Sequence, residues 1–209
     1  MSNLLLMNKR ILLDASPILY NRPFSAAALG EDWEWFNSEW RCQGDLLIGR
    51  NENPTAGALL LKQGFPGDVL LQFRARNVLP SAHDIDAMWN CTWDEPKGSR
   101  TAYVLGIQGW YEGKIGFEKA PENRLAAMAP CPWFAPGREI LVQVGSIAGH
   151  CFVFVDGLLR IEMLDPDPID SARHNRVGVE AFQSMYAIRD FTLRRIVWEE
   201  RPQKYAAEF

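Results

Sequence analysis

Along most of the chain, apolar and polar residues alternate with a period of two. In GDVLLQFRAR (67–76), Val69, Leu71, Phe73 and Ala75 share one face while Gln72, Arg74 and Arg76 share the other. That is the pattern of a strand with one buried side. GHCFVFVDGLLRIEML (149–164) reads as two strands joined at Asp156-Gly157, a dipeptide suited to the positive φ of a tight hairpin. Residues 101–120 predict two strands around a glycine-rich turn at 109–113, and QGDLLIGR (43–50) with AGALLLKQGF (56–65) predicts another pair. RVGVEAF (176–182) and AIRDFTLRRIVW (187–198) add more, the second alternating imperfectly through Ile188, Phe191 or Leu193, Ile196 and Trp198. No segment carries a helical apolar stripe over three turns. Only the tail EERPQKYAAEF (199–209) predicts a short helix or a frayed end.

Many short strands separated by Gly, Pro and Asp predict one all-β domain over residues 1–209, a jelly-roll sandwich of two antiparallel sheets. Its inter-sheet and convex faces are assigned Leu71, Phe73, Val153, Val155 and Ile188, and its concave sheet a groove. The 209 residues suffice for one sizeable core, and a net charge of −4 without a basic block gives nucleic-acid binding little support. No segment approaches the roughly 20 apolar residues of a spanning helix, so no membrane is expected. The opening MSNLLLMNKR puts its charges after a short apolar run, unlike a secretory leader, and a cytoplasmic location is expected. Cys42, Cys91, Cys131 and Cys151 form no C-x-x-C pair, which points to reduced, mostly buried thiols rather than zinc.

The chemistry concentrates in HDIDAMWNCTW (83–93). Read as one strand, it sends Asp84, Asp86, Met88 and Asn90 to one side and His83, Ile85, Ala87, Trp89, Cys91 and Trp93 to the other. Aspartates two apart then stand roughly 7 Å apart, at ~3.3 Å per residue. That suits an acid–base pair, whose carboxyls are about 5–5.5 Å apart in retaining glycosidases and about 6.5–9.5 Å in inverting ones. It also suits a hard cation such as calcium, and equally two solvated carboxylates at a strand's start. The alternating glucanase pattern E-x-D-x-x-E is absent. His83 is a candidate proton shuttle or metal ligand.

Eight tryptophans are available to stack on the apolar face of a sugar. Trp33, Trp40 and Trp198 are assigned to the core, while Trp89 and the turn pair Trp110-Tyr111 are candidate stacking platforms. Arg74 is a candidate partner for a carboxylated sugar, or else for the aspartates or solvent. Glu118 and Lys119 are candidates of which at most one enters a groove, since neighbours on a strand point oppositely.

FPGDVLLQFR, HDIDAMW, LAAM, VFVDGLLRIEMLD and RVGVEAFQSMYAIRDFTL, in that order, resemble a family of bacterial concanavalin A-like jelly-roll proteins associated with pectic sugar utilisation. The resemblance covers about residues 31–198, leaving 199–209 as a tail. It implies the lectin/glucanase fold and a role for Asp84, Asp86 and Lys119, which match the family, whereas Trp89 and Glu118 depart from it. The loop before His83 is shorter than in relatives. More distantly, the chain is similar to keto-sugar glycoside hydrolase-like domains. Together these readings predict a protein that takes a mono- or oligosaccharide in its groove, with hydrolysis, β-elimination and no reaction all open. The alternative is a non-catalytic binding or assembly module, acting as a homo-oligomer or enzyme partner through exposed tryptophans.

Overall fold

The computed structural model describes residues 3–109 and 113–202. The elements, in order, are β1 (Leu4–Leu5), β2 (Lys9–Ile11), β3 (Ile18–Tyr20), helix α1 (Ala26–Asp32), β4 (Trp33–Phe36), β5 (Glu39–Gln43), β6 (Leu46–Asn51), β7 (Gly57–Leu61), β8 (Val69–Asn77) and β9 (Ile85–Asp94). They continue with β10 (Ser99–Ile107), β11 (Lys114–Ala120), β12 (Arg124–Pro130), β13 (Ile140–Ile147), β14 (His150–Val155), β15 (Leu158–Leu164), β16 (Arg176–Ala181), β17 (Ser184–Arg195) and β18 (Trp198–Glu200). One sheet runs β12-β11-β10-β9-β16-β7-β4, the other β15-β14-β13-β8-β17-β6-β5, with β3 paired to β17. Both sheets are antiparallel throughout, the β-sandwich the alternation predicts.

The core lies between the sheets. Ile85, Ala87, Trp89, Tyr103, Leu105 and Val179 face Leu71, Phe73, Val142, Val153 and Ile188 across it. Burying these faces is the main driving force for the sandwich, at about 25 cal/mol per Å² of apolar surface. The Asp156-Gly157 turn adopts φ values of 51° and 77° and closes β14 onto β15 as expected. The uneven pattern of β17 has a physical cause: Asp190 is left-handed (φ 55°) and the register slips between Arg189 and Thr192. That bulge returns both Phe191 and Leu193 to the core.

Several expectations need correction. β6 and β7 are not partners: β6 pairs with β5 and β17, whereas β7 pairs with β4 and β16 in the other sheet. Residues 198–200 are strand, pairing with β2, and 203–209 lie outside the described residues. β1, β2 and β18 form a small third sheet, whose Leu4, Leu6 and Ile11 cover Leu70, Phe152 and Phe154 on the outer face of the eight-stranded run. Trp33 and Trp40 are buried, but Trp198 is exposed at the edge of that third sheet. Helix α1, capped by Ser25 Oγ accepting from the Ala28 amide at 3.1 Å, is too short for a multi-turn stripe to reveal. The four thiols are free and all but Cys42 are buried.

Candidate functional site

The outer face of the β12–β4 sheet carries an acidic hollow. In register, Asp86 on β9 stands between Gly106 on β10 and Glu180 on β16. Val177, Val179 and Ala181 point into the core, so Glu180 points outward. Arg100, near the start of β10, donates from Nη2 to Glu180 Oε1 at 2.9 Å, and its Nε lies 2.6 Å from Oε2. The second is a close ion contact rather than a well-aligned hydrogen bond, since neither atom has a hydrogen-bond partner among the described residues. Both side chains are almost wholly buried. From the far sheet, the Tyr186 hydroxyl reaches through the core to the Glu180 carbonyl at 2.7 Å and lies 3.3 Å from that of Asp86. It pins β9 and β16 beneath the site.

Asp84 precedes β9 in a left-handed conformation, φ 65°. Gly109 leaves it room: a Cβ there would stand 2.2 Å from Asp84 Oδ1. Because residue 84 is not extended, the period-two spacing fails, and the Asp84 and Asp86 carboxyls hydrogen-bond to each other. Burial pushes Asp84 up to about 6, against the lowering effect of its bond to Asp86 and of His83 nearby. Asp86 is raised well above the usual range by burial, then by the Asp84 charge and by donating to it. Two buried carboxyls bonded to each other favour holding one proton between them. Glu180 is pushed up to about 7 by burial and by the Asp84 and Glu118 charges, with Arg100 opposing.

The hollow, about 420 Å³, is lined by Asp84, Asp86, Arg100, Glu118, Glu180, Asn123 and Phe182 among others. It offers convergent hydrogen-bonding groups beside one aromatic ring, Phe182, which is 36% exposed. Two carboxyls bonded to each other cannot flank a glycosidic bond as separate acid and base, which corrects the spacing expected from the sequence. Among the described residues, no three His, Cys, Asp or Glu side chains are grouped so as to hold a metal ion.

The other sequence candidates are scattered. His83 is exposed and lines a separate hollow with Pro80, Ser81 and Arg50. Arg74 lies on the outer face of the opposite sheet, 3.7 Å from both Glu139 and Asp190, and cannot meet a ligand bound by the aspartates. Trp89 is fully buried, with Nε1 donating to Ser146 Oγ at 3.0 Å, so it is core and not a platform. Lys119 turns away from Glu118 and pairs with Asp165 at 2.9 Å. Trp110 and Tyr111 lie outside the described residues. Left-handed Asn90 (φ 48°) with a bulge near it also reverses the far end of β9, putting Cys91 and Trp93 on the outer face with Met88. The sequence reading missed Arg100, Glu180 and Phe182. Alternation in RVGVEAF could have flagged Glu180 as outward-facing, but nothing local marks Arg100 as its partner.

Solved structures share this architecture. A Bacillus subtilis protein of unknown function with a galectin-like fold superposes with a TM-score of 0.71 at 15% identity, covering 87% of this chain and 99% of that one. The fold is a galectin-like, concanavalin A-like jelly roll. The same jelly roll occurs in the exoplasmic/lumenal domain of VIP36 in a Ca²⁺/Man-bound form, at TM-score 0.60, 11% identity, and 94% and 100% coverage of this chain and that one. It also occurs in the carbohydrate-binding module CBM66 from Bacillus subtilis, at 0.55, 12%, 80% and 95%. No protein-family model and no curated protein matches the chain, so the resemblance to a pectin-associated family gains no support from either.

Proposed function

We propose that this jelly roll binds a saccharide in the acidic hollow of its β12–β4 sheet. The observation that carries the reading is the convergence of Asp84, Asp86, Glu118, Asn123 and the Arg100–Glu180 pair beside the exposed ring of Phe182. Carboxylates accept from sugar hydroxyls, and an aromatic ring covers the C–H face of a pyranose. The lectin and carbohydrate-binding domains that share the fold lend support.

Four carboxyl groups against one guanidinium disfavour an anionic sugar, and Arg74, the residue expected to hold a uronate, lies on the other sheet. The ligand class is therefore a neutral or amino-substituted mono- or oligosaccharide rather than a pectic acid. Because the Asp84 and Asp86 carboxyls bond to each other rather than standing apart across a substrate, binding without bond cleavage is the favoured mode. Calorimetry with neutral, amino-substituted and uronate oligosaccharides tests this. Binding of the first or second class, weakened about tenfold in Phe182→Ala, is expected. Absence of any glycan binding at millimolar concentration, or a Phe182→Ala protein that binds like the parent, ends the proposal.

A further inference from the structure

A second and larger hollow, about 640 Å³, lies on the opposite sheet where the third sheet meets β14 and β15. Its chemistry is set by a chain of three side chains. Lys9 Nζ lies 3.1 Å from His150 Nδ1, and His150 Nε2 lies 3.1 Å from Glu162 Oε2. An ammonium only donates, so Nδ1 must accept, and the neutral imidazole then donates from Nε2 to the carboxylate. The direction of the His150 pKa agrees: burial and the Lys9 charge lower it, with Glu162 opposing. Glu162 also accepts the Met7 amide at 3.0 Å, so its charge is met by donors within the fold.

Lys9 is different. It donates to His150 and to Asn8 Oδ1 at 3.3 Å, and its ammonium lies 5.3 Å from the centre of the Trp198 ring. Among the described residues it makes no ion pair with a carboxylate. Three donors serve two acceptors, which leaves one N–H. Around this fixed cation the hollow is lined by the apolar Met7, Met163, Leu164 and Trp198, of which Leu164 is 72% exposed and Trp198 37%, and by the charged Glu200 and Arg201. With Glu162 met by donors, Lys9 and Arg201 stand against the one remaining carboxylate among the described lining residues, Glu200. Beside an indole and an exposed leucine, that balance suits a single anionic head on an apolar body.

We propose that this hollow binds a small carboxylate with a flat apolar body, its head on Lys9 Nζ and its body against Trp198 and Leu164. The proposal is independent of saccharide binding on the other sheet. The test titrates the full chain with benzoate, following tryptophan fluorescence in the parent and in Trp198→Phe and binding by calorimetry, with benzamide as the uncharged control. Saturable benzoate binding is expected at millimolar concentration or below, with benzamide at least about tenfold weaker, because a charge-assisted hydrogen bond is lost. Lys9→Met should weaken benzoate by about tenfold or more. Leu164→Glu, at a side chain too exposed to matter for folding, should do the same by repelling the carboxylate. No saturable benzoate binding, equal binding of benzamide, or parent-like affinity in folded Leu164→Glu overturns the assignment.

Discussion

Replacing Asp84 with Asn tests whether the acidic hollow holds a shared proton. Asp84 is buried, and its pKa rises from 3.8 to about 6 on folding. A folded-state value above the unfolded one means that the native state holds the proton more tightly. The group therefore costs nothing below about pH 3.8, costs progressively more as pH rises towards 6, and exacts the whole penalty above that. The gap between 3.8 and about 6 corresponds to about 3 kcal/mol, an order-of-magnitude ceiling for a site coupled to Asp86. Asparagine keeps the shape, fits against Gly109 as the carboxyl does, and can accept from Asp86 through its Oδ1 without ever ionising. Urea unfolding of parent and Asp84→Asn at about pH 4, 6 and 7.5 should show near-equal stability at the lowest pH. The variant should then gain up to about 3 kcal/mol at the highest. A variant that is less stable than the parent at about pH 7.5, or a difference that does not change with pH, refutes the shared proton.

Arg100→Met should cost about 3–5 kcal/mol in chemical denaturation, because it strands the buried Glu180 carboxyl, whereas Arg100→Met with Glu180→Leu should recover most of that loss. Equal instability of the single and double variants would show that shape, not charge, governs the position. Trp89→Phe should lower stability by about 1–3 kcal/mol, losing indole volume and the bond to Ser146, while leaving glycan affinity unchanged in calorimetry. A selective loss of affinity would return Trp89 to the site. Gly178→Ala should unfold the domain or destabilise it by several kcal/mol, since the new Cβ would stand 1.9 Å from the Leu59 carbonyl oxygen of β7; a parent-like thermal midpoint would contradict this packing.

The sandwich was legible because strand alternation is a local property: β8, β14 and β15 can be read from their own residues. Which sheet a strand joins is not local. QGDLLIGR and AGALLLKQGF look like a hairpin, yet their strands part to opposite layers. The same blindness placed Arg74 near Asp84, because alternation says that Arg74 faces outward but not on which side of the molecule. Within HDIDAMWNCTW, the first half kept its predicted facing and the second did not. Left-handed Asn90 breaks the period, and no residue type announces that with certainty. The Arg100–Glu180 pair joins residues eighty apart and is visible only once β9, β10 and β16 lie side by side.

The phenol of Tyr186 gives the two layers a common fastening. It belongs to the sheet that carries Arg74, yet it ends on the carbonyls of Asp86 and Glu180. The geometry of the ligand face is thus held partly from behind, and a substitution in β17 that withdraws this hydroxyl loosens two acidic residues it never touches from the front. Screening only the solvent-facing rim of the hollow would overlook the residue on which its alignment rests.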